Sequence, residues 1–127
     1  MANQVINTPN APAAIGPYVQ GYKAGNTIYV SGQLGIDMST GELADGVENQ
    51  AKCSMANLGA ILKEAGATPA DVVKTTVFIA DMGDFVTVNK VYGDFFGENF
   101  PARSCVEVGA LPKGGLVEVE CVAVLSE

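Results

Sequence analysis

The sequence predicts an α+β domain: a mixed β-sheet with two helices packed on one of its faces. Three observations predict it. Six strand-like runs are spread along the chain, and two stretches between them repeat apolar residues at intervals of three and four. The order is strand, strand, strand, helix, strand, helix, strand, strand, with no internal repeat and no low-complexity segment. The final run, Leu116 to Leu125, is apolar at Val117, Val119, Cys121, Ala123 and Leu125, and is again partly apolar on its other face at Leu116, Val122 and Val124. A strand apolar on both faces is covered on both faces. Two helices cover only one side of a sheet, so a second copy of the chain is the economical cover for the other.

The elements follow in order. Residues 3–6 form a short edge strand. Thr8-Pro9-Asn10-Ala11-Pro12 is loop by its turn chemistry, and Gly16-Pro17 carries an irregular path to Tyr18. Val19 to Ala24 reads as a strand, Gly25-Asn26 as the turn of a hairpin, and Thr27-Ile28-Tyr29-Val30-Ser31 as its partner. Gly32 at the end of that strand marks either a close approach or a simple β-bulge. Asp37 to Gly46 is a polar loop. Asp45 and Glu48 have the spacing of a capping box. Val47, Ala51, Met55, Leu58, Ile61, Leu62 and Ala65 then form one face of a helix of about five turns, stopped by Gly66. Cys53 and Lys63 lie off that stripe. Thr68-Pro69-Ala70-Asp71 reads as a single helical turn with proline at its first position. Val72 to Ala80 is a strand with Val73, Thr75, Val77 and Ile79 on one face. Asp81 caps a second helix, whose buried face is Phe85, Val88, Tyr92, Phe95 and Phe96. Ser104 to Val108 is the next strand, and Gly109 to Gly115 is a turn.

Length and composition bound the function. A chain of 127 residues fits one domain, residues 1–127. Fourteen acidic residues against seven basic ones give a net charge of −7, which argues against nucleic acid and anionic membrane as partners. Cysteines 53, 105 and 121 have no metal-ligand spacing and no histidine accompanies them, so no metal site is expected. The odd, widely spaced cysteines fit a reducing compartment. The first residues carry no basic, apolar leader pattern, and no run reaches the ~18 apolar residues of a membrane span. A cytoplasmic location follows. With no histidine, Ser-His-Asp and Cys-His catalysis are excluded.

Phe100-Pro101-Ala102-Arg103-Ser104-Cys105 holds the only arginine of the chain. A guanidinium grips a carboxylate through two parallel N–H bonds, as a lysine ammonium does not. Arg103 therefore has two open roles, an ordinary ion pair or an anion clamp. Asn89 lies beside the aromatic stripe of the second helix, where its amide needs a partner; that partner is either a backbone group or something in a pocket.

Ala13-Ala14-Ile15-Gly16-Pro17-Tyr18, Ser31-Gly32-Gln33, Pro101-Ala102-Arg103-Ser104-Cys105-Val106-Glu107-Val108, Leu111-Pro112 and Val117-Glu118-Val119 together resemble the reactive intermediate deaminase (Rid, YjgF-type) family, over essentially the whole chain. The block from Arg103 to Glu118 is its most specific part and resembles the deaminase-active branch. The resemblance implies a chorismate-mutase-like fold and a homotrimer with sites in the clefts between subunits. It implies hydrolysis of 2-imino acids, or their 2-enamino tautomers, to 2-oxo acids and ammonia, without cofactor or metal. These reactive species arise from dehydratase action on serine and threonine, and their removal protects pyridoxal-phosphate enzymes.

On that reading Arg103 holds the substrate carboxylate and Glu118 positions and activates water, unless Glu118 is instead an ion-pair partner of Arg103 or a lysine. Tyr18, Ser31 and Asn89 match positions lining the family's cleft, and Tyr92 lies on the same helix as Asn89. Gly32 allows a backbone carbonyl close approach, and the backbone at Ser104 and Cys105 contributes dipoles. Cys105 has a cationic neighbour that favours thiolate, but imine hydrolysis needs no thiol nucleophile. Two other readings compete: a non-catalytic trimer that binds or senses small 2-oxo acids, and an interaction protein of the chaperone-like or RNA-directed kind. A chorismate mutase is disfavoured, because two carboxylates call for more cationic anchors than one arginine.

Overall fold

Alternating β-branched residues build the centre of the molecule. In the computed structural model, which describes residues 3–126, the longest strands are β3 (Thr27–Leu34), β6 (Val72–Ile79) and β8 (Val117–Val124). Together with β1 (Gln4–Ile6), β2 (Gly21–Ala24) and β7 (Ala102–Glu107) they form one six-stranded sheet in the order β1-β2-β3-β8-β6-β7. Every neighbouring pair is antiparallel except β6 and β7, which run parallel because helix α2 (Phe85–Phe96) crosses between them. The predicted mixed sheet with two helices is therefore observed. Met1, Ala2 and Glu127, at the ends of the predicted domain range, lie outside the described residues.

Helix α1 (Gly46–Glu64) lies across β3 and β8 and against α2. Its predicted stripe faces the sheet: Leu58, Ile61 and Leu62 have no exposed surface, and Val117 and Ala123 of β8 have none either. Each of the leucine, isoleucine and valine side chains contributes about 1.5–3 kcal/mol by leaving water. The opposite face of β8 carries Glu118, Glu120, Val122 and Val124 away from both helices.

Several local details depart from the sequence expectation. The expected capping box of α1 does not form: Asp45 stands at the N-cap, yet its side chain makes no capping bond. Gly46 follows it with φ +81°, a left-handed conformation outside the helical range. The polar loop after β3 contains a small hairpin, β4 (Ile36–Asp37) with β5 (Glu42–Leu43). Strand β2 begins at Gly21, so Val19 and Gln20 belong to the preceding loop. On β6 a register shift between Val72 and Lys74 turns Val72 inward and leaves Val73 48 % exposed, against the expected alternation. Strand β7 starts at Ala102, two residues early, because its parallel ladder with β6 pairs Lys74 with Ala102 and Thr75 with Arg103. Arg103 thus sits inside a strand.

The buried face of α1 is also more polar than its apolar stripe foretold. Ser54 Oγ donates to the carbonyl of Gln33 (2.6 Å), and Asn57 Nδ2 donates to those of Leu34 (3.2 Å) and Ile36 (3.0 Å). Gln50 donates to Ala44 O (3.0 Å) and accepts from Leu116 N–H (2.9 Å). These three side chains satisfy backbone groups at and beyond the end of β3, and so fix the chain just after Gly32 and just before Glu118.

At its other end α1 stops as expected. Gly66 N–H donates to Lys63 O (3.0 Å) and Ala67 N–H to Leu62 O (2.8 Å), the paired bonds of a Schellman motif, with Gly66 at φ +86°. Gly66→Ala places a Cβ in that left-handed conformation. It is expected to destabilise the protein by about 1 kcal/mol, read as a lower urea midpoint with an unchanged slope.

Candidate active site

Arg103 projects from β7 on the helix-covered face, since its pairing partner Thr75 is fully buried there. Its guanidinium carbon lies 4.8 Å from the ring centre of Tyr92 and 5.6 Å from that of Phe85. Cation–π attraction holds the plane in place. Nη1 donates to Asn89 Oδ1 at 2.7 Å. Tyr92 is itself tied down by a 2.6 Å hydrogen bond between its hydroxyl and Thr75 Oγ1. The heptad-like spacing of Phe85, Asn89 and Tyr92 along α2 puts all three within reach of one side chain on β7. Asn89, Tyr92, Gly93, Phe100, Pro101 and Arg103 line a cavity of about 290 Å³. Among the described residues no carboxylate pairs with Arg103, so the ion-pair role, with Glu118 or any other acid, is not realised within the chain. Its remaining N–H groups are available to a ligand.

Glu118 lies elsewhere. It alternates with the buried Val117 and Val119 on β8 and therefore faces the side of the sheet without helices. Between the pairs Val30–Cys121 and Gln33–Val119, Ser31 and Gly32 of β3 oppose the single residue Glu120 of β8, which makes Ser31-Gly32 a β-bulge. The Glu118 carboxylate folds into the space that Gly32 leaves: a Cβ on Gly32 would come within 2.9 Å of Glu118 Cδ and Oε2. The bulge expected at Gly32 forms, whereas the group that comes close is the Glu118 side chain and not a ligand or another backbone. Glu118 lines a cavity of about 240 Å³ with Ile15, Tyr18, Leu34, Pro112 and Lys113 among others. Burial, and then the negative charge of Glu120, push its carboxyl above the usual range.

Arg103, Asn89 and Cys105 thus gather on one face, and Tyr18, Gly32 and Glu118 on the other. Within one chain the predicted set is two half-sites, not one. Ser31 donates its hydroxyl to Val19 O (2.6 Å) and is engaged in holding the loop before β2. Ser104 points to the open face, where Lys74 Nζ approaches its hydroxyl at 3.4 Å. Cys105 pairs with the buried Val77. Burial pushes its thiol up, and the Arg103 charge offsets this only in part, so the cationic neighbour does not yield a thiolate. Cys121 is pushed up to about 12 by burial and then by Glu120, and is inert.

Sequence reasoning missed three neighbours of these half-sites. Phe100 is 63 % exposed at the mouth of the Arg103 cavity, and Phe85 packs under the guanidinium. Lys113 lines the Glu118 cavity with φ +61°, the one described non-glycine residue of positive φ. Strained backbone of this kind gathers at functional sites. The glycines at 114 and 115 were its only visible signal.

The fold is an α+β one, a six-stranded mixed sheet with two helices, and its guanidinium is held by Asn89 and two rings with no ion pair among the described residues. The chain belongs to the family described as Endoribonuclease L-PSP, whose model matches residues 8–125. It is 50 % identical over 125 residues to the 2-iminobutanoate/2-iminopropanoate deaminase of Homo sapiens, covering 98 % of this chain and 91 % of that one. It is 52 % identical to the protein of the same name from Escherichia coli K12, covering 96 % and 98 %. The crystal structure of the YjgF gene product from E. coli superposes with a TM-score of 0.93 at 51 % identity, covering 97 % of this chain and 99 % of that one. That of E. coli TdcF with bound serine gives 0.93 at 46 %, covering 97 % and 99 %.

Proposed function

We propose that this protein hydrolyses reactive 2-imino acids and their 2-enamino tautomers to 2-oxo acids and ammonia, and that it does so as a homotrimer of single, chorismate-mutase-like domains with sites between subunits. The observation that carries the reading is Arg103: its guanidinium is stacked, hydrogen-bonded to Asn89 and unopposed by any described carboxylate, in a chain about half identical to deaminases of this name over nearly its whole length.

The chemistry needs few groups. The substrate carboxylate takes two N–H bonds from Arg103, which orients the adjacent C=N carbon. Glu118 accepts a proton from water as the water oxygen bonds to the carbon of the protonated imine and the C=N electron pair moves to nitrogen. Glu118 then gives that proton to the nitrogen of the tetrahedral carbinolamine, the C–N bond breaks with its electron pair leaving on ammonia, and the hydroxyl proton passes back to Glu118 as the C=O forms. A carboxyl raised above the usual range is suited to both transfers. Backbone dipoles at Ser104 and Cys105 support the oxygen, and water, not Cys105, is the nucleophile.

The trimer has its own support. The helix-free face exposes Tyr29 (51 %), Val73 (48 %), Val106 (43 %) and Val124 (43 %), a broad apolar surface of the kind that subunits cover. A neighbour placed there also supplies the second half-site that one chain keeps on its opposite face. Three free thiols fit a reducing, cytoplasmic setting, and no helix among the described residues is long and apolar enough to cross a membrane.

A second reading has an observation in its favour. The Arg103 half-site is complete in one chain without Glu118, which suffices for binding a small 2-oxo acid without catalysis. Threonine dehydratase coupled to the purified protein separates the two, with semicarbazide competing for the imine. Extra 2-oxobutanoate is expected. No extra product leaves the binding protein as the answer, and a light-scattering mass of one chain would exclude sites between subunits.

A further inference from the structure

Between β1 and β2 the chain makes an irregular loop, and one buried side chain holds it. Gln20 is 2 % exposed. Its Oε1 accepts from Thr8 N–H (2.7 Å), and its Nε2 donates to the carbonyls of Thr8 (3.1 Å), Ala11 (3.2 Å) and Pro12 (2.8 Å). Two amide hydrogens are thus shared among three carbonyls, and the whole hydrogen-bonding capacity of the nitrogen is used. On the far side of Tyr18, Ser31 donates its N–H to Gln20 O (2.9 Å) and its hydroxyl to Val19 O (2.6 Å). The segment from Thr8 to Gln20 is therefore pinned at both ends.

What that segment presents is chemically specific. Pro12, Ala13, Ile15 and Tyr18 form one wall of the Glu118 cavity, and Leu34, Ile36 and Pro112 stand among the other lining residues. The wall sets the aliphatic Pro12, Ala13 and Ile15 beside the ring of Tyr18, and Ile15 leaves 77 % of its surface exposed. An exposed isoleucine beside a carboxyl of raised pKa is a ready contact for an apolar group that sits next to the reacting carbon.

We propose that the Gln20-pinned loop is the side-chain selector of the reaction: Ile15 contacts the substrate's side chain, and Gln20 is the positioning residue that keeps this wall in place. The protein then favours imino acids with aliphatic side chains over the smallest member of the class. This inference rests on the deaminase reading.

The test compares the imines of leucine and alanine, generated in situ from D-leucine and D-alanine by a D-amino-acid oxidase, since the imine carbon keeps no chirality. The quantity read is the ratio of catalysed hydrolysis rates for the two imines, measured against a semicarbazide trap. Ile15→Ala, at an exposed position, is expected to lower the leucine-to-alanine ratio about tenfold, the discrimination that a methylene or two contribute in an apolar pocket. Gln20→Met, which keeps bulk but loses every hydrogen bond, is expected to lower it in the same direction. A purely structural role for either residue would scale both rates together and leave the ratio unchanged. An unchanged ratio in either folded variant overturns the proposal, and Ile15→Ala decides it alone if Gln20→Met does not fold. A wild type that accelerates neither imine defeats the deaminase reading itself, and the selector falls with it.

Discussion

Arg103→Ala is expected to abolish the acceleration of 2-iminobutanoate and 2-iminopropanoate hydrolysis while the fold and the assembly survive. The loss should be at least about a hundredfold, because a substrate without its carboxylate anchor no longer holds its imine carbon at the attacking water. The structural cost is small by comparison. Arg103 is half-buried on edge strand β7, and its contacts with Phe85 and Tyr92 are worth about 0.5–1 kcal/mol each at such a site. Arg103→Lys should rescue little, since an ammonium lacks the planar fork that reaches Asn89 and a ligand carboxylate at once. The measurement is the coupled dehydratase assay, with circular dichroism and light scattering on the same samples. An Arg103→Ala protein of normal mass and full activity would remove the clamp from the mechanism.

Glu118→Gln carries the second large effect, and it has a pH signature. With Glu118 as the base, the wild-type rate rises with pH through the carboxyl's native pKa, and that limb lies above the ordinary carboxylate range because burial and Glu120 raise it. The glutamine variant should lose both the rate and the limb. Stability moves oppositely. Native Glu118 holds its proton more tightly than the unfolded chain does, so its contribution is fully present below the unfolded value of about 4.3 and is lost as pH rises through the raised native value. At neutral pH Glu118→Gln should therefore melt no lower than the wild type. Gly32→Ala is the companion test. Its Cβ would displace the Glu118 carboxylate, whose Cδ and Oε2 lie 2.9 Å away, and it should depress the rate with Glu118 still present. A fully active Glu118→Gln protein would take Glu118 out of the reaction.

Much of the candidate site is legible in the sequence. Arg103 stood out because nothing else in the chain is a guanidinium. Asn89 was placed beside Phe85 and Tyr92 by helical spacing alone, and Arg103 proved to be the partner its amide required. Periodicity reveals the α1 and α2 stripes and the two-faced β8, because burial imposes it directly. What stayed hidden was set by contacts between residues far apart in the chain. The bulge that swaps Val72 for Val73, the early start of β7, and the capture of β3 carbonyls by Ser54 and Asn57 all depend on which strand end meets which partner.

By itself, then, the amino-acid order determined the element types, the core faces, the family resemblance and the residues with chemistry to offer. Those follow from local propensity and from the period of burial. Only the tertiary structure decided which of those residues meet. Arg103 takes the side of Thr75, and Glu118 the opposite side from Val117 and Val119, because strand alternation assigns each residue a face once the register is set. The separation of Arg103 and Glu118 onto two faces of one sheet is a consequence of that register, and on the proposed reading a neighbouring chain supplies the missing half.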